Sequence, residues 1–352
     1  MDAPVLHGSR QMSYEEFPAP SAGPDEVIVE VGLCGICGSD LEVYAHAEAP
    51  DGIVLGHEFS GTIVELGKGV EGWSLGERVV SAPADPCLNC WFCVRGETHL
   101  CMHHYRIERE LAGEAQGMEM LGAMGYAPLA RMRAPQLIRV PDALDDRTAA
   151  SVEPAAVGYH AVRNSGMRMG DRVAVIGAGP IGLFVLQAAR LGGAARIVAL
   201  EPSAARRTLA GELGADVVLD PSELGEIEAI GEAVSDALGG PPDTVFDAAG
   251  VPATLQQAVE LVKVEGHVMM VGVAMEAAPI QPSSWVMKRV RVRGAFAYTR
   301  EDYRQTIDLL QRGLIETEAM ISSVVPGSET PETFELLLGP HDEVKVLVDP
   351  QR

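Results

Sequence analysis

The residues of this chain able to do chemistry fall in a few short stretches. Cys87, Cys90, Cys93 and Cys101 follow one another as C-x2-C-x2-C-x7-C. Four thiolates so closely spaced suit a closed tetrahedral zinc, which leaves no position for water and serves to fold a lobe with little core of its own. A disulfide pair is the plainer alternative, and it fits poorly with the reducing compartment expected below. His99, His103 and His104 beside this run read as surface residues, with His99 able to compete as a ligand.

Those four cysteines use each other up and leave Cys34 and Cys37, in Cys34-Gly35-Ile36-Cys37-Gly38-Ser39-Asp40. A Cys-x-x-Cys pair can be a redox switch, half of a zinc ribbon, or two unrelated cysteines on one strand. An open catalytic zinc needs about three protein ligands, and further candidates stand in Gly56-His57-Glu58 and at Glu153, just before Pro154. Singly, each such His or Glu reads more simply as a satisfied structural residue. Together with a nucleotide fold they form a candidate metal centre.

That fold is signalled by Gly177-Ala178-Gly179-Pro180-Ile181-Gly182, a G-x-G-x-x-G after an apolar strand and at the mouth of a helix. Gly177 permits a tight turn, Gly179 lets the backbone approach a pyrophosphate, and Gly182 lets the helix pack on the sheet. Glu201 ends the next strand, where a carboxylate can accept hydrogen bonds from both ribose hydroxyls and repel a 2′-phosphate, which predicts NAD over NADP. Arg206 and Arg207 weaken that preference, because either could reach a phosphate, and Arg206 could equally bond the ribose. A glycine turn that binds no nucleotide is the structural alternative.

These groups need two kinds of scaffold. The first ~150 residues alternate in short runs such as Val27–Val31 and Gly61–Glu65, which predicts a β-rich unit. From Asp171 strands at 172–176, 196–200, 216–219, 244–247, 266–273 and 290–295 alternate with helical stretches, the pattern of a doubly wound parallel sheet. The remainder turns helical and then β, over 343–348, and is expected to return to the first unit.

A chain of 352 residues with 47% hydrophobic and 22% charged residues is globular and suits two domains. A net charge of −23 argues against nucleic-acid partners and reads as a solvated anionic surface, with salt adaptation the alternative. The N-terminus lacks a basic region followed by an apolar run, and the longest apolar run, 173–189, is broken by Gly177, Gly179, Pro180 and Gly182. A cytoplasmic protein with no membrane partner is expected.

In this order, CGICGSD, GHEFSG, the four-cysteine run, VEPAAVGYHAV and VAVIGAGPIG resemble the zinc-dependent medium-chain dehydrogenase/reductase family, closest to its polyol branch with sorbitol and 2,3-butanediol dehydrogenases. The resemblance spans essentially the whole chain. It implies a GroES-like catalytic domain at 1–152 and 296–352, with a structural zinc lobe near 86–102, and a Rossmann domain at 153–295. It also implies a catalytic and a structural zinc, NAD as hydride acceptor, a small alcohol or ketone substrate, and a homotetramer or homodimer. By this resemblance Cys37, His57 and Glu153 are the catalytic ligands, and Glu58 approaches the metal and exchanges with water or substrate. Ser39 bonds the substrate hydroxyl and starts the proton relay, while Asp40 orients the ligand histidine. Gly272, Val273 and the 295–297 stretch, including Phe296, face the nicotinamide, and Lys345 brings a cation toward the pyrophosphate. Cys34 is left as a small buried neighbour.

The sequence departs from that pattern in places. Glu42 stands where many relatives carry a relay histidine, and it reads equally as a substrate-binding or a surface carboxylate. Ala297 replaces an arginine that contacts substrate in sorbitol dehydrogenases. The methionines at 118, 120, 124 and 132 could line an adaptable pocket, although core packing is the simpler reading. His160 is expected to be structural. The leading expectation is oxidation of a vicinal diol, polyol, sugar or cyclitol with NAD. An NADP-dependent carbonyl reductase is the alternative, and a non-catalytic nucleotide-binding protein the third.

Overall fold

Alternating valines between glycine turns commit the first part of the chain to strands, and continuous apolar runs commit the middle to a sheet buried on both faces. The computed structural model describes residues 1–46, 51–82, 86–102 and 124–352. One unit comprises Met1–Glu153, Thr299–Arg312 and Thr317–Arg352; the other comprises Pro154–Tyr298 and Gly313–Glu316. The short return of Gly313–Glu316 to the second unit was not expected. Its cause is the Gln187 side chain, which accepts from Glu316 N at 2.7 Å and donates to Glu316 O at 3.0 Å.

In the first unit, strands run in the order Ile321–Pro326, Lys345–Asp349, Glu26–Gly35, Glu58–Leu66, Arg78–Ser81, Leu137–Arg139, and Leu129–Arg133 also pairs with Glu26–Gly35. The predicted runs 27–31 and 61–65 are the middles of longer strands. The register of the central ladder sets Gly35 against Glu58 and Cys34 against Phe59, while Leu347 and Val348 of the last strand pair with Gly35 and Cys34. Three stretches far apart in sequence therefore meet at Gly35. Beneath them Val29, Phe59, Ile63, Tyr126 and Phe334 form part of a closed core. Each such side chain is worth roughly 1.5–3 kcal/mol in burial, enough to hold one register against a slip that would turn every side chain over.

The second unit holds an all-parallel sheet of strands β1 (Arg172–Ile176), β2 (Arg196–Leu200), β3 (Val217–Leu219), β4 (Thr244–Asp247), β5 (His267–Met270) and β6 (Arg291–Gly294), in spatial order 3-2-1-4-5-6. This is the doubly wound nucleotide-binding order. β1 stands beside the reversal point, and the glycine turn and the helix Pro180–Leu191 follow it directly. Among the described residues, no helix is long and apolar enough to cross a membrane.

Candidate metal centre and nucleotide loop

Cys37 follows the strand Glu26–Gly35 and precedes the helix Gly38–His46, while His57 immediately precedes the facing strand Glu58–Leu66, which Glu58 opens. One donor atom from each of Cys37, His57 and Glu58 lies within 4.8 Å of the others. His57 is 5% and Glu58 1% exposed, whereas Cys37 is half-buried, so the cluster opens on the sulfur's side. His57 Nδ1 faces Asp40 Oδ1 at 3.4 Å, which leaves Nε2 for the cluster. Burial opposes charge on this imidazole, but Asp40 and then Cys37 outweigh it and hold the His57 pKa well above its ordinary value. The same negative partners favour a divalent cation. A sulfur, an imidazole nitrogen and a carboxylate oxygen are the donor set of an open zinc site, so the residues present fit that metal.

Around the cluster, the fully buried Asp40 accepts from Cys37 N at 3.2 Å and from the Tyr126 hydroxyl at 2.6 Å on the same oxygen, Oδ2. The Ser39 hydroxyl is exposed and donates to Cys37 Sγ at 3.1 Å. Lys345, expected to reach toward a cofactor phosphate, is instead 3% exposed, ion-paired with Glu58, and donating to Ile36 O at 2.9 Å. Burial works against this ammonium, yet Glu58, then Cys37, raise its pKa. Gly35 is required where it stands, because a Cβ there would strike the Glu58 carboxylate and the Lys345 chain. Glu153, expected as a ligand, lies outside the 4.8 Å cluster. It opens the helix Val152–Asn164, buried and near enough to act on Lys345. Glu58, expected to approach the metal, is brought to Cys37 and His57 by the Gly35–Glu58 register.

Cys87, Cys90, Cys93 and Cys101 also place one sulfur each within 4.8 Å of the others. Cys87 N donates to Cys101 Sγ and Cys90 N to Cys87 Sγ, both at 3.3 Å. The Cys93 amide lowers the Cys90 pKa to about 6, a direction that favours the thiolate a metal needs. Among the described residues, the local apolar cluster is made of these four cysteines and Phe92. His99, expected at the surface, is 7% exposed, and its ring is outside the sulfur cluster. His103, His104, Met118 and Met120 lie outside the described residues. Met132 is buried in the core of the first unit.

In the second unit Gly177 has φ +89°, and a Cβ on Gly182 would collide with the Gly177 carbonyl, so both glycines are needed for the turn and the close helix. Gly179 caps the helix with open space around its Cα, and Pro180 is its first residue, followed by Ile181. Glu201, 5% exposed, accepts from Ala178 N at 2.7 Å and from Ser203 N at 2.9 Å, which pins its carboxylate over the glycine turn. Arg207 Nη1 bonds Asp220 Oδ2 at 2.6 Å and the carbonyls of Glu201 and Pro202, which ties one edge of its guanidinium to its own unit. Arg206 is half-buried beside it. Gly272 approaches Gly250 too closely for any side chain, and Val273 and Phe296 are 72% and 49% exposed. Glu42 is exposed on the helix Gly38–His46, and His160 pairs with Asn164 outside either metal cluster. Sequence reasoning missed Tyr126 and the Glu58–Lys345 pair. Their partners lie 86 and 287 residues away, and no local pattern marks them.

Residues 23–142 match the alcohol dehydrogenase GroES-like domain and residues 180–312 the zinc-binding dehydrogenase domain. The (R,R)-butanediol dehydrogenase of Bacillus subtilis (strain 168) is 32% identical over 99% of this chain and 100% of its own. The sorbitol dehydrogenase of Bombyx mori is 31% identical over 95% of this chain and 94% of its own. A structure described as a zinc-binding dehydrogenase from Sinorhizobium meliloti 1021, bound to NADP, superposes with a TM-score of 0.87 at 33% identity, covering 99% of each chain. A GroES-like unit with an S/N/O metal cluster, joined to a doubly wound nucleotide unit, is the architecture of nucleotide-linked alcohol dehydrogenases. The chain belongs to the zinc-dependent medium-chain alcohol and polyol dehydrogenase family, on its butanediol and sorbitol branch.

Proposed function

We propose that this chain moves a hydride between a secondary alcohol and NAD, with a vicinal diol, polyol, sugar or cyclitol as substrate and one zinc at each cysteine-containing cluster. The observation that carries this reading is the exposed Ser39 hydroxyl on Cys37 Sγ, at the open side of the Cys37–His57–Glu58 cluster. A zinc held there supplies Lewis acidity that eases deprotonation of a hydroxyl, and the nicotinamide accepts the hydride. Ser39 accepts the proton of the substrate hydroxyl as it hands its own hydroxyl proton on to solvent, to which it is exposed. Asp40 keeps the His57 ring oriented, and Lys345 balances Glu58 where water is excluded.

The Glu201 carboxylate over the glycine turn, with Arg207 held by Asp220, supports NAD as the cofactor. Arg206 and the NADP-bound neighbour support the second reading, an NADP-dependent carbonyl reductase on the same scaffold. Diols, polyols, sugars and cyclitols with NAD or NADP, followed at the reduced-nicotinamide absorbance, separate the two: faster turnover with NADP overturns the first.

Self-association, as a homodimer or homotetramer, belongs to the same proposal. Strand β6 ends its sheet, and the preceding helix Pro282–Lys288 exposes Val286 and Met287 at 74% and 80%. A monomer by light scattering overturns it.

A further inference from the structure

We infer that Tyr126 is a positioning residue of the metal centre: its hydroxyl locks the Asp40 carboxylate, and through it the His57 ring, so that Nε2 stays aimed at Cys37 and Glu58. The inference rests on the reading of that cluster as a zinc site.

Tyr126 is fully buried, and its ring meets Phe334 edge-on, with centroids 5.8 Å apart at 88°. Its own amide donates to Leu55 O at 3.1 Å, and Gly125 N donates to Gly56 O at 2.9 Å. The segment carrying the phenol is thus tied to the two residues that lead directly into His57. Gly56, at φ +99°, has no room for a Cβ against Tyr126 N and Cys34 Sγ, which keeps the two segments close.

The phenol has one hydrogen and two acceptors in reach, Asp40 Oδ2 at 2.6 Å and Gly35 O at 3.3 Å. The shorter contact to a charged group takes it. Asp40 Oδ2 then receives two donors, Tyr126 OH and Cys37 N, on a side chain with no exposure to water. With Oδ2 fixed from two directions the carboxylate cannot rotate, and Oδ1 is left facing His57 Nδ1. Remove the phenol hydroxyl and, among the described residues, Oδ2 keeps only the longer Cys37 N contact, with Oδ1 held by nothing firmer than His57 Nδ1 at 3.4 Å. The sequence marks Asp40 and His57, but nothing in it marks Tyr126, which comes from a third, separate stretch.

Tyr126→Phe keeps the ring and its packing and deletes only the donor. We expect chelator competition to show about tenfold weaker zinc binding at the Cys37 cluster, the low end of what a partner behind a ligand histidine contributes. The four-cysteine site should keep its metal. Cobalt substituted at the Cys37 cluster should show shifted visible bands, and Asp40→Asn alone should shift them in the same direction. In an Asp40→Ala background, which leaves the phenol no side-chain acceptor at position 40, adding Tyr126→Phe should cost nothing further, because the hydroxyl acts only through that carboxylate. Unchanged zinc affinity and cobalt bands in Tyr126→Phe would overturn the inference. So would a penalty that persists in the Asp40→Ala background, or an Asp40→Asn variant with wild-type bands. Wild-type protein that takes metal at the four cysteines and none at Cys37 would instead remove the zinc-site reading beneath it.

Discussion

Lys345 and Glu58 form an ion pair with 3% and 1% of their side chains exposed, and Glu58 is at the same time a member of the metal cluster. Removing one partner of such a pair leaves an uncompensated buried charge, at a cost of about 3–5 kcal/mol. A zinc ion at the cluster compensates Glu58 in the lysine's place. Lys345→Met should therefore destabilise metal-stripped protein by that amount and zinc-loaded protein by clearly less, read from urea unfolding of both forms. Equal losses would mean that Glu58 does not face a metal.

Cys34 and Cys37 differ sharply despite their spacing. Cys34 is buried on the central strand, its thiol 3.6 Å from Gly35 O, and burial first, then Asp40 and Glu58, raise its pKa well above the usual thiol range. Cys37→Ser should lose the open-site metal and cut turnover by about 100-fold or more. Cys34→Ser should keep metal and turnover within a few-fold, and lose ~1 kcal/mol of stability for a buried hydroxyl. Metal analysis of wild type should find one tightly held zinc and one more labile, and comparable defects in both variants would reverse the assignment.

Cofactor choice should follow the Glu201 carboxylate. Glu201→Ser should raise the NADP-to-NAD rate ratio by at least about tenfold, equivalent to ~1.4 kcal/mol. Adding Asp220→Ala removes the carboxylate that Arg207 bonds at 2.6 Å, leaving its guanidinium uncompensated, and should raise the ratio again. Initial rates at matched cofactor concentrations check both steps, and an unchanged ratio in the double variant would assign the choice to Arg206.

Asp243 predicts how the nucleotide unit responds to acid. Burial opposes its charge, but Lys263 and Arg172 overcome this and bring its pKa down from 3.8 to about 2. Lys263 Nζ donates to Asp243 Oδ1 at 2.5 Å, and Arg172 N to Oδ2 at 2.8 Å. A carboxylate whose folded-state pKa is depressed stabilises the fold above about pH 4 and loses that contribution as pH falls toward 2. Allowing for solvent screening, Asp243→Asn should cost about 1–2 kcal/mol at pH 7. The gap between variant and wild type should close below pH 3, and a gap independent of pH would assign the loss to packing.

Much of this protein was legible in its residues because the relevant geometry is local. The four sulfurs are gathered by short turns, and the glycine turn, its strand and its helix are contiguous, so spacing alone specifies both. Period-two and continuous apolar runs specified the two kinds of sheet for the same reason. Adjacency also placed Ser39 and Asp40 beside Cys37, at the start of one helix. What only the tertiary structure decided are contacts set by strand register and core packing. Gly35 opposite Glu58 is the strand register by which that carboxylate, expected near the metal, reaches Cys37 and His57. The strand Lys345–Asp349, pairing with the same segment, turns a lysine expected at a phosphate into the counter-ion of Glu58. Tyr126 meets Asp40 across 86 residues while the backbone of Gly125 and Tyr126 is hydrogen-bonded to Gly56 and Leu55, and residue types along a chain do not encode which segments will be paired in this way.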